Sequence, residues 1–281
     1  MLLRLSASSF LHQNHFRAAS IFGHPIPGRK SHRNLSFPLP RAAAAGRGSM
    51  STAAATTHDP SSVVEHIVLF DVKPETETEK VEAMLSGLRS LSSLETVLYL
   101  TAGPIHRLRS SSLGFTHLLY GRYPTKQALA DYSAHPSHVK VVQERVLPIS
   151  RDVMAVDWVA DLEGGPAIPS ATAAFRLTLV KPRPDLDEAS QKEIGQVLEG
   201  IRCSLPSSLQ VSFGENFSPA RAKGFGWGLM SFFPGVDGIN AIDSDEDLVK
   251  AQKEKVKDLV DSVIVVDYEY PQPIPPLPPS L

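Results

Sequence analysis

An internal repeat with a spacing of about 110 residues is the sequence feature that most limits how this chain can fold. Four short segments recur at nearly the same spacing. At 110 they are Gly114-Phe115 with Gly224-Phe225, Val139-Lys140 with Val249-Lys250, and Val156-Asp157-Trp158 with Val266-Asp267-Tyr268, and at 108 they are Lys73-Pro74 with Lys181-Pro182. Several matches at one spacing predict a tandem duplication, in which two copies of one unit carry divergent side chains.

Hydrophobic periodicity predicts the element order β-α-β-β-α-β in the first copy, with the same order starting again in the second. The expected strands of the first copy are 64–72, 96–101, 114–123 and 153–159, and the expected helices are 75–90, 125–134 and 136–149. This order is typical of a ferredoxin-like α+β fold, in which helices cover one face of an antiparallel sheet. We predict a first domain at 64–160, a Gly- and Pro-rich linker at 161–170 and a second domain at 171–269.

Both ends of the chain have a composition that does not favour a packed core. Residues 1–58 contain seven Arg and Lys side chains and no Asp or Glu, which predicts a disordered organelle-targeting segment, with a plain disordered tail as the alternative. Residues 270–281 are dominated by proline and predict an extended tail. The final Pro-Ser-Leu loosely resembles a peroxisomal address, so the predicted location is organellar, either plastid or peroxisome.

Charge and motif content exclude several classes of function. Outside residues 1–58 the chain carries 21 basic against 30 acidic side chains, which argues against nucleic acid and against an anionic membrane surface as partners. No apolar run is long enough to span a membrane. The single cysteine, Cys203, has no partner for a disulfide. Phosphate-loop, dinucleotide and metal-site motifs are missing, so we predict neither a cofactor nor a metal.

The candidate chemistry lies where a predicted helix begins with two histidines. Proline is favoured at the first position of a helix, so Pro136 predicts that His135 is the cap and that His138 lies in the first turn. The positive end of the helix dipole disfavours a charged imidazole, which would leave His138 neutral and able to accept a proton. Tyr132, six residues earlier, could donate a hydrogen bond to an enolate oxygen. We predict His138 and Tyr132 as catalytic residues, and as ligand-binding residues His66, His117, Phe70 and His135.

Comparing the two copies favours a site in the first copy alone. At a spacing of 110 the counterparts of His138, His135, Tyr132 and His117 are Leu248, Asp245, Ile242 and Trp227, and the strand spacing of 108 pairs His66 with Ala174. The candidate side chains are thus lost together, which predicts that the second copy serves as scaffold. The alternative is that the second copy has drifted and that neither copy holds a site.

These segments resemble the plant stress-response A/B barrel family, also called dimeric α+β barrels. The resemblance rests on Val64–Phe70, Gly114–His117, Asp131-Tyr132, His135–Val139 and Val156–Trp158. It implies that two units close their sheets into a barrel, either within this chain or in a homodimer. Similarity to one member, olivetolic acid cyclase, implies that His138 and Tyr132 carry out aldol-type cyclisation. Some members bind magnesium at the end of the first helix, but residues 89–95 contain no fixed ligand motif, and that role stays open.

Two functions are therefore expected. In the first, the first copy binds a small apolar ligand that carries a carbonyl group, with polyketide-cyclase-like proton abstraction. In the second, the chain is a non-catalytic stress or defence barrel that acts through protein contacts. The second function predicts that side chains such as Phe70, Leu119 and Val142 fill the space beside His138.

Overall fold

A computed structural model describes residues 61–110, 112–205 and 208–270. The predicted targeting segment lies outside the described residues, and so does the predicted tail beyond residue 270. The first copy contains β1 (Ser62–Val72), α1 (Thr78–Ser90), β2 (Tyr99–Pro104), β3 (Arg107–Arg109), β4 (His117–Tyr123), α2 (Lys126–Ala134), α3 (Pro136–Val141) and β5 (Ser150–Asp161). The second copy contains β6 (Ala174–Pro182), α4 (Glu188–Arg202), β7 (Gln210–Glu215), β8 (Trp227–Phe233), α5 (Val236–Ser244), α6 (Glu246–Val256) and β9 (Val260–Glu269).

The strands form two antiparallel sheets. The first has the order β2-β4-β1-β5, and the second has the order β3-β9-β6-β8-β7. In each sheet the first and last long strands of a copy lie side by side, as β1 and β5 do in the first and β6 and β9 do in the second. The predicted ferredoxin-like α+β class is confirmed.

Strand β1 shows why the helices pack where they do. Its residues alternate between the two faces of the sheet, as the period of a strand requires. Val68 and Phe70 pack against α1 and α2 in one buried cluster, together with Met84 of α1. Ile67 and Leu69 face the opposite side and pack against residues of the second copy. Both faces of β1 are therefore covered.

The two sheets close around a common core within one chain. Strand β3 leaves the first copy and pairs with β9 of the second. At the other edge, Trp158 of β5 forms a bridge with Asn216 of the second copy. The interior cluster contains residues from both copies, including Leu118, Tyr120, Phe175 and Phe232. The resemblance allowed pairing within the chain or in a homodimer, and the structure shows pairing within the chain.

Some predicted boundaries differ from the structure for identifiable reasons. No element was expected between the strands 96–101 and 114–123, since the three residues of β3 carry no pattern of their own. They form a strand because they pair with β9. The helix expected at 136–149 ends at Val141 and continues as a π-helical turn, Val142–Val146. Helical periodicity does not distinguish these two windings over such a short distance.

Strand register corrects the spacing of the repeat. His66 pairs with Asp157, and Arg176 pairs with Asp267, so the spacing is 110 in the strands as well. The counterpart of His66 is therefore Arg176 and not Ala174. The Lys-Pro match at 108 was misleading, because Lys73-Pro74 corresponds to Arg183-Pro184, directly after a second Lys-Pro pair.

The helices of residues 61–110, 112–205 and 208–270 include none with both the length and the apolar character needed to cross a membrane.

Candidate functional site

The corner between α2 and α3 is built by two side-chain caps. Thr125 begins α2 and accepts a hydrogen bond from the Ala128 amide at 3.0 Å. His135 ends α2 and begins α3, where its Nδ1 accepts from the Ser137 amide at 3.2 Å. Pro136 occupies the first turn, so the predicted cap is confirmed. This corner places Tyr132 and His138 on either side of one sharp turn.

Four rings are grouped around Tyr132 on the helix-covered face of the first sheet. His66 comes from β1, Tyr123 from the end of β4, Tyr132 from α2 and His138 from α3. The centroid of the Tyr132 ring lies 4.6 Å from His138, 5.0 Å from Tyr123 and 6.3 Å from His66. The structure thus brings together three of the predicted residues and adds Tyr123.

His138 is held in one tautomer and kept neutral. Its Nδ1 lies 2.9 Å from the carbonyl oxygen of Ser133, so Nδ1 carries the proton and Nε2 keeps a free lone pair. Burial lowers the pKa of His138 to about 4, and the hydrogen bond to Ser133 opposes this only in part. Neutrality at pH 7 was expected from the helix dipole, but α3 has only six residues and burial is the larger cause.

His66 is oriented by a carboxylate that the sequence did not single out for chemistry. Its Nδ1 lies 2.5 Å from Oδ1 of Asp157, and both side chains are buried. The other carboxylate oxygen accepts a hydrogen bond from Ser218 of the second copy. Burial alone would raise the pKa of Asp157, but His66 and Ser218 outweigh it and lower that pKa. The sequence did contain a signal for this residue, because Asp157 recurs as Asp267 in the second copy. On its own, that recurrence indicates only the duplication.

Two tyrosine hydroxyls in this group are buried, those of Tyr123 and Tyr132. Neither makes a well-formed hydrogen bond to a described residue, although the two lie close enough for each to influence the pKa of the other. Burial raises the pKa of both phenols, so both remain protonated donors. Gly121 leaves the room that Tyr123 occupies, since a Cβ atom there would lie 2.9 Å from the Tyr123 hydroxyl oxygen. The lack of a side chain at Gly121 therefore leaves space for the Tyr123 hydroxyl, whose ring lies beside His66.

Two predicted ligand-binding residues lie apart from these rings. His66 pairs across the ladder with Gly121, whereas Phe70 pairs with His117 four residues further along β1, which is about 13 Å away. Nδ1 of His117 lies 2.8 Å from the Thr116 hydroxyl, and burial lowers the pKa of His117. Both residues lie on the predicted face, but at the wrong position along the strand.

Comparison with known proteins identifies the family of this chain. Residues 64–160 and 175–270 match the family described as Stress responsive A/B Barrel Domain. The chain belongs to this family. One stress-response A/B barrel domain-containing protein of Arabidopsis thaliana is 44% identical over 75% of this chain and 80% of that protein. A second protein of the same description and the same plant is 38% identical over 75% of this chain and 98% of that protein.

A solved structure extends the likeness to bacteria at the level of fold. A crystal structure from Fusobacterium nucleatum, described as a candidate monooxygenase, aligns with a TM-score of 0.51 and 15% identity. The alignment covers 74% of this chain and 91% of that one. At this identity the likeness concerns the A/B barrel architecture alone.

The second A/B barrel copy replaces the ring cluster with an ion network. Arg176, the counterpart of His66, contacts Asp267 and Asp243, each at 2.7 Å. Arg107 and Arg109 of β3 reach the same two carboxylates. Tyr132 and His138 are thus replaced by the apolar Ile242 and Leu248, whereas His66 is exchanged for another basic residue, Arg176.

Other surface features lie away from the rings. Two pockets, of about 140 and 220 Å³, are lined by other parts of the A/B barrel, around Lys223 and around Arg202. Within the described ranges, no three His, Cys, Asp or Glu side chains are grouped so that they could hold a metal ion. The ring cluster is therefore the candidate functional site.

The low pKa of His138 predicts a pH dependence of stability. The unfolded chain takes up a proton on His138 near pH 6.5, whereas the folded chain does so only near pH 4. The unfolded state binds more protons between these values, so the free energy of unfolding should fall as the pH falls from 6.5 to 4. Urea unfolding of wild type and His138→Gln at pH 7 and pH 5 checks this. The variant should lose less stability over this interval, and equal losses would contradict the assignment.

Proposed function

We propose that the first A/B barrel copy binds a small, mainly apolar molecule with a carbonyl group, and that His138 removes a proton from the carbon next to that group. The observation that carries this proposal is the pair of buried hydroxyls, Tyr123 and Tyr132, which make no well-formed hydrogen bond to a described residue and lie beside a neutral histidine. A buried hydroxyl without a partner costs about 1–3 kcal/mol. A ligand that accepts a hydrogen bond at this place would remove that cost.

The surroundings support an apolar ligand. The Tyr132 side chain is 1% exposed and belongs to a cluster with Leu129 and Ala128. A carbonyl oxygen that accepts from Tyr132 would therefore be placed where few other polar groups compete for it. His138 is only half-buried, so a ligand would approach from its side.

The reaction needs one base and one hydrogen-bond donor. Nε2 of His138 takes the proton from the α-carbon, and the electron pair of the C–H bond moves into an enolate. Tyr132 stabilises the negative charge that develops on the enolate oxygen by donating a hydrogen bond. In a ligand with a second carbonyl, the α-carbon attacks that carbon and forms a C–C bond. The proton on His138 then passes to the new alkoxide, so the protein ends as it began.

This is aldol-type cyclase chemistry, for which the resemblance to olivetolic acid cyclase supplies the pairing of His138 with Tyr132. His66 supports the pair as a positioning residue. Its ring lies 6.3 Å from that of Tyr132, and Asp157 fixes its orientation.

Deuterium exchange into a simple ketone tests the proton-transfer step. We expect wild-type protein in D₂O to accelerate exchange at the α-carbons of 2-nonanone, measured by proton NMR. A positioned general base contributes at least about 100-fold, so His138→Ala should lose the acceleration by about that factor. Tyr132→Phe should also slow exchange, because the oxygen of the enolate would lose its donor.

Lys140→Ala is the matched control, because this exposed residue lies on the same short helix as His138. It should exchange deuterium at the wild-type rate. If wild type, His138→Ala and Lys140→Ala all exchange at the rate of buffer, proton abstraction is rejected and a non-catalytic barrel acting through protein contacts is favoured.

A further inference from the structure

The first-copy site is completed by a segment of the second copy. The Asp157 amide donates to Oδ1 of Asn216 at 3.0 Å, and the Phe217 amide donates back to the Asp157 carbonyl at 3.0 Å. Ser218 then contacts the Asp157 carboxylate. These bonds fix residues 216–218 against β5, directly beside the His66–Asp157 pair. Whatever follows Ser218 is therefore placed at the edge of the ring cluster.

Arg221 follows three residues later, at the end of the short 3₁₀ helix Pro219–Arg221. Its side chain is exposed. It is close enough for its positive charge to lower the pKa of both His138 and Asp157, although burial is the largest influence on each. Arg221 therefore belongs to a second-copy segment that lies beside the site.

Arg221 differs from the other arginines in having no hydrogen-bond acceptor among the described residues. Every other arginine of the described residues donates at least one hydrogen bond to a protein oxygen. For Arg221 no hydrogen bond or ion pair to a described residue is found. Nearby, Lys126 of α2 lies 4.3 Å from the ring of Phe217 and likewise has no carboxylate partner in the described part of the chain. One acidic residue of α2, Asp131, accepts instead from Gln127.

The second copy provides an internal comparison. There the arginines of the exchanged β3 segment, Arg107 and Arg109, each contact the carboxylates of Asp243 and Asp267. The first copy has Ser133 at the position of Asp243, and the Asp157 carboxylate is already engaged by His66 and Ser218. Among the described residues, the arginines at the second-copy site therefore all contact a carboxylate, whereas Arg221 at the first-copy site contacts none.

We propose that Arg221 binds a negatively charged group of the ligand, so that the first-copy site selects a carbonyl compound that also carries a carboxylate. This inference rests on the proposed function and adds the charge of the ligand to it. Guanidinium and carboxylate are complementary in shape and can form two parallel hydrogen bonds. Outside residues 1–58 the chain is net acidic. A cation without a partner among the described residues therefore gives a local attraction for an anionic ligand beside the site.

Two ligands of matched shape test the proposal. 4-Oxononanoic acid carries the carboxylate, and 4-oxononanamide has the same carbon skeleton without the charge. Isothermal titration calorimetry of the full chain should give an affinity about fivefold higher for the acid, the range expected for an exposed ion pair. Arg221→Met should reduce this ratio to about one, whereas Arg221→Lys should retain part of it. Added salt should weaken the preference in wild type.

Arg183→Met is the matched control, because Arg183 is an exposed arginine of the second copy whose partner is Asp185. It should keep the wild-type ratio. Equal affinity of wild type for acid and amide, or a ratio unchanged in Arg221→Met, would overturn the role of Arg221 while leaving ketone binding intact. If neither compound binds to wild type, the role of Arg221 is overturned with the ligand class. The deuterium exchange of 2-nonanone, which is uncharged, then decides separately whether His138 acts as a base.

Discussion

Replacing Glu65 by alanine is expected to lower the free energy of unfolding by about 3–5 kcal/mol, because it leaves a buried guanidinium without its anion. Glu65 and Arg122 have fully buried side chains whose charged atoms approach to 2.7 Å. Burial opposes the charge of Arg122, but the Glu65 carboxylate outweighs this and holds the pKa of Arg122 above its usual value. Tyr120 adds a hydrogen bond to the same carboxylate at 3.0 Å.

The same guanidinium joins the two copies. It donates to Gln210 of β7 at 3.2 Å and to the carbonyl oxygen of Pro166 at 2.8 Å. Its central carbon also lies 5.6 Å from the ring centroid of Phe232, the second-copy counterpart of Arg122. Loss of Glu65 should therefore loosen contacts in both copies and not only in β1.

Urea unfolding followed by circular dichroism measures the effect. The double variant Glu65→Leu/Arg122→Met removes both charges and should lose less stability than Glu65→Ala, because no buried charge is left unpaired. A loss below about 1 kcal/mol in Glu65→Ala, or a double variant less stable than the single one, would contradict this account.

The second large effect is expected at Trp158, where replacement by alanine should cost about 3–5 kcal/mol through the cavity that it leaves. The Trp158 side chain is fully buried. Its Nε1 donates to the Ser212 hydroxyl at 3.0 Å. A Cβ atom at Gly228 would lie 2.5 Å from its ring, and one at Gly214 would lie 2.9 Å from it. The indole thus fills a notch that these two glycines leave in the second copy.

The counterpart Tyr268 does the same in the opposite direction. It packs over Gly103 of the first copy, where a Cβ atom would lie 2.7 Å from its hydroxyl oxygen, and this oxygen lies 3.2 Å from the Thr101 hydroxyl. Each copy therefore inserts one aromatic side chain into the other, which explains why Gly228 of β8 and Gly103 of β2 carry no side chain.

Urea unfolding followed by circular dichroism again measures the change. Trp158→Phe should retain most of the stability, since it keeps an aromatic ring in the notch. Tyr268→Phe removes only a hydroxyl and should cost about 1 kcal/mol. If Trp158→Ala were as stable as Tyr268→Phe, the notch would contribute little to closing the barrel.

Part of the candidate site followed directly from local sequence. The cap at His135 and the turn at Pro136 place Tyr132 and His138 on one corner, and both depend only on neighbouring residues. His66 lies on the covered face of β1 because side chains alternate along a strand. This alternation identified the face but not the position along it, which is why His117 and Phe70 were included and are found four residues away.

Other parts of the site could not be derived from one copy alone. Ser218 and Arg221 approach His66 and His138 only because the second sheet closes against β5, and they are separated from His66 by more than 150 residues of sequence. The exchange of His66 for Arg176 was likewise hidden. A repeated Lys-Pro pair suggested a spacing of 108, and only cross-strand pairing established 110.

The sequence by itself determined the duplication, the ferredoxin-like order of elements, the helix cap at His135, and that the candidate polar side chains lie in the first copy. The order of elements and the cap follow from the sequence because periodicity and turn chemistry act between residues close in the chain. The tertiary structure decided which of these residues meet. It aligned His66 with Asp157, added a segment of the second copy, and brought Arg107 and Arg109 to carboxylates at the other site. Such contacts depend on strand register and on barrel closure, which are set by the packing of all strands together.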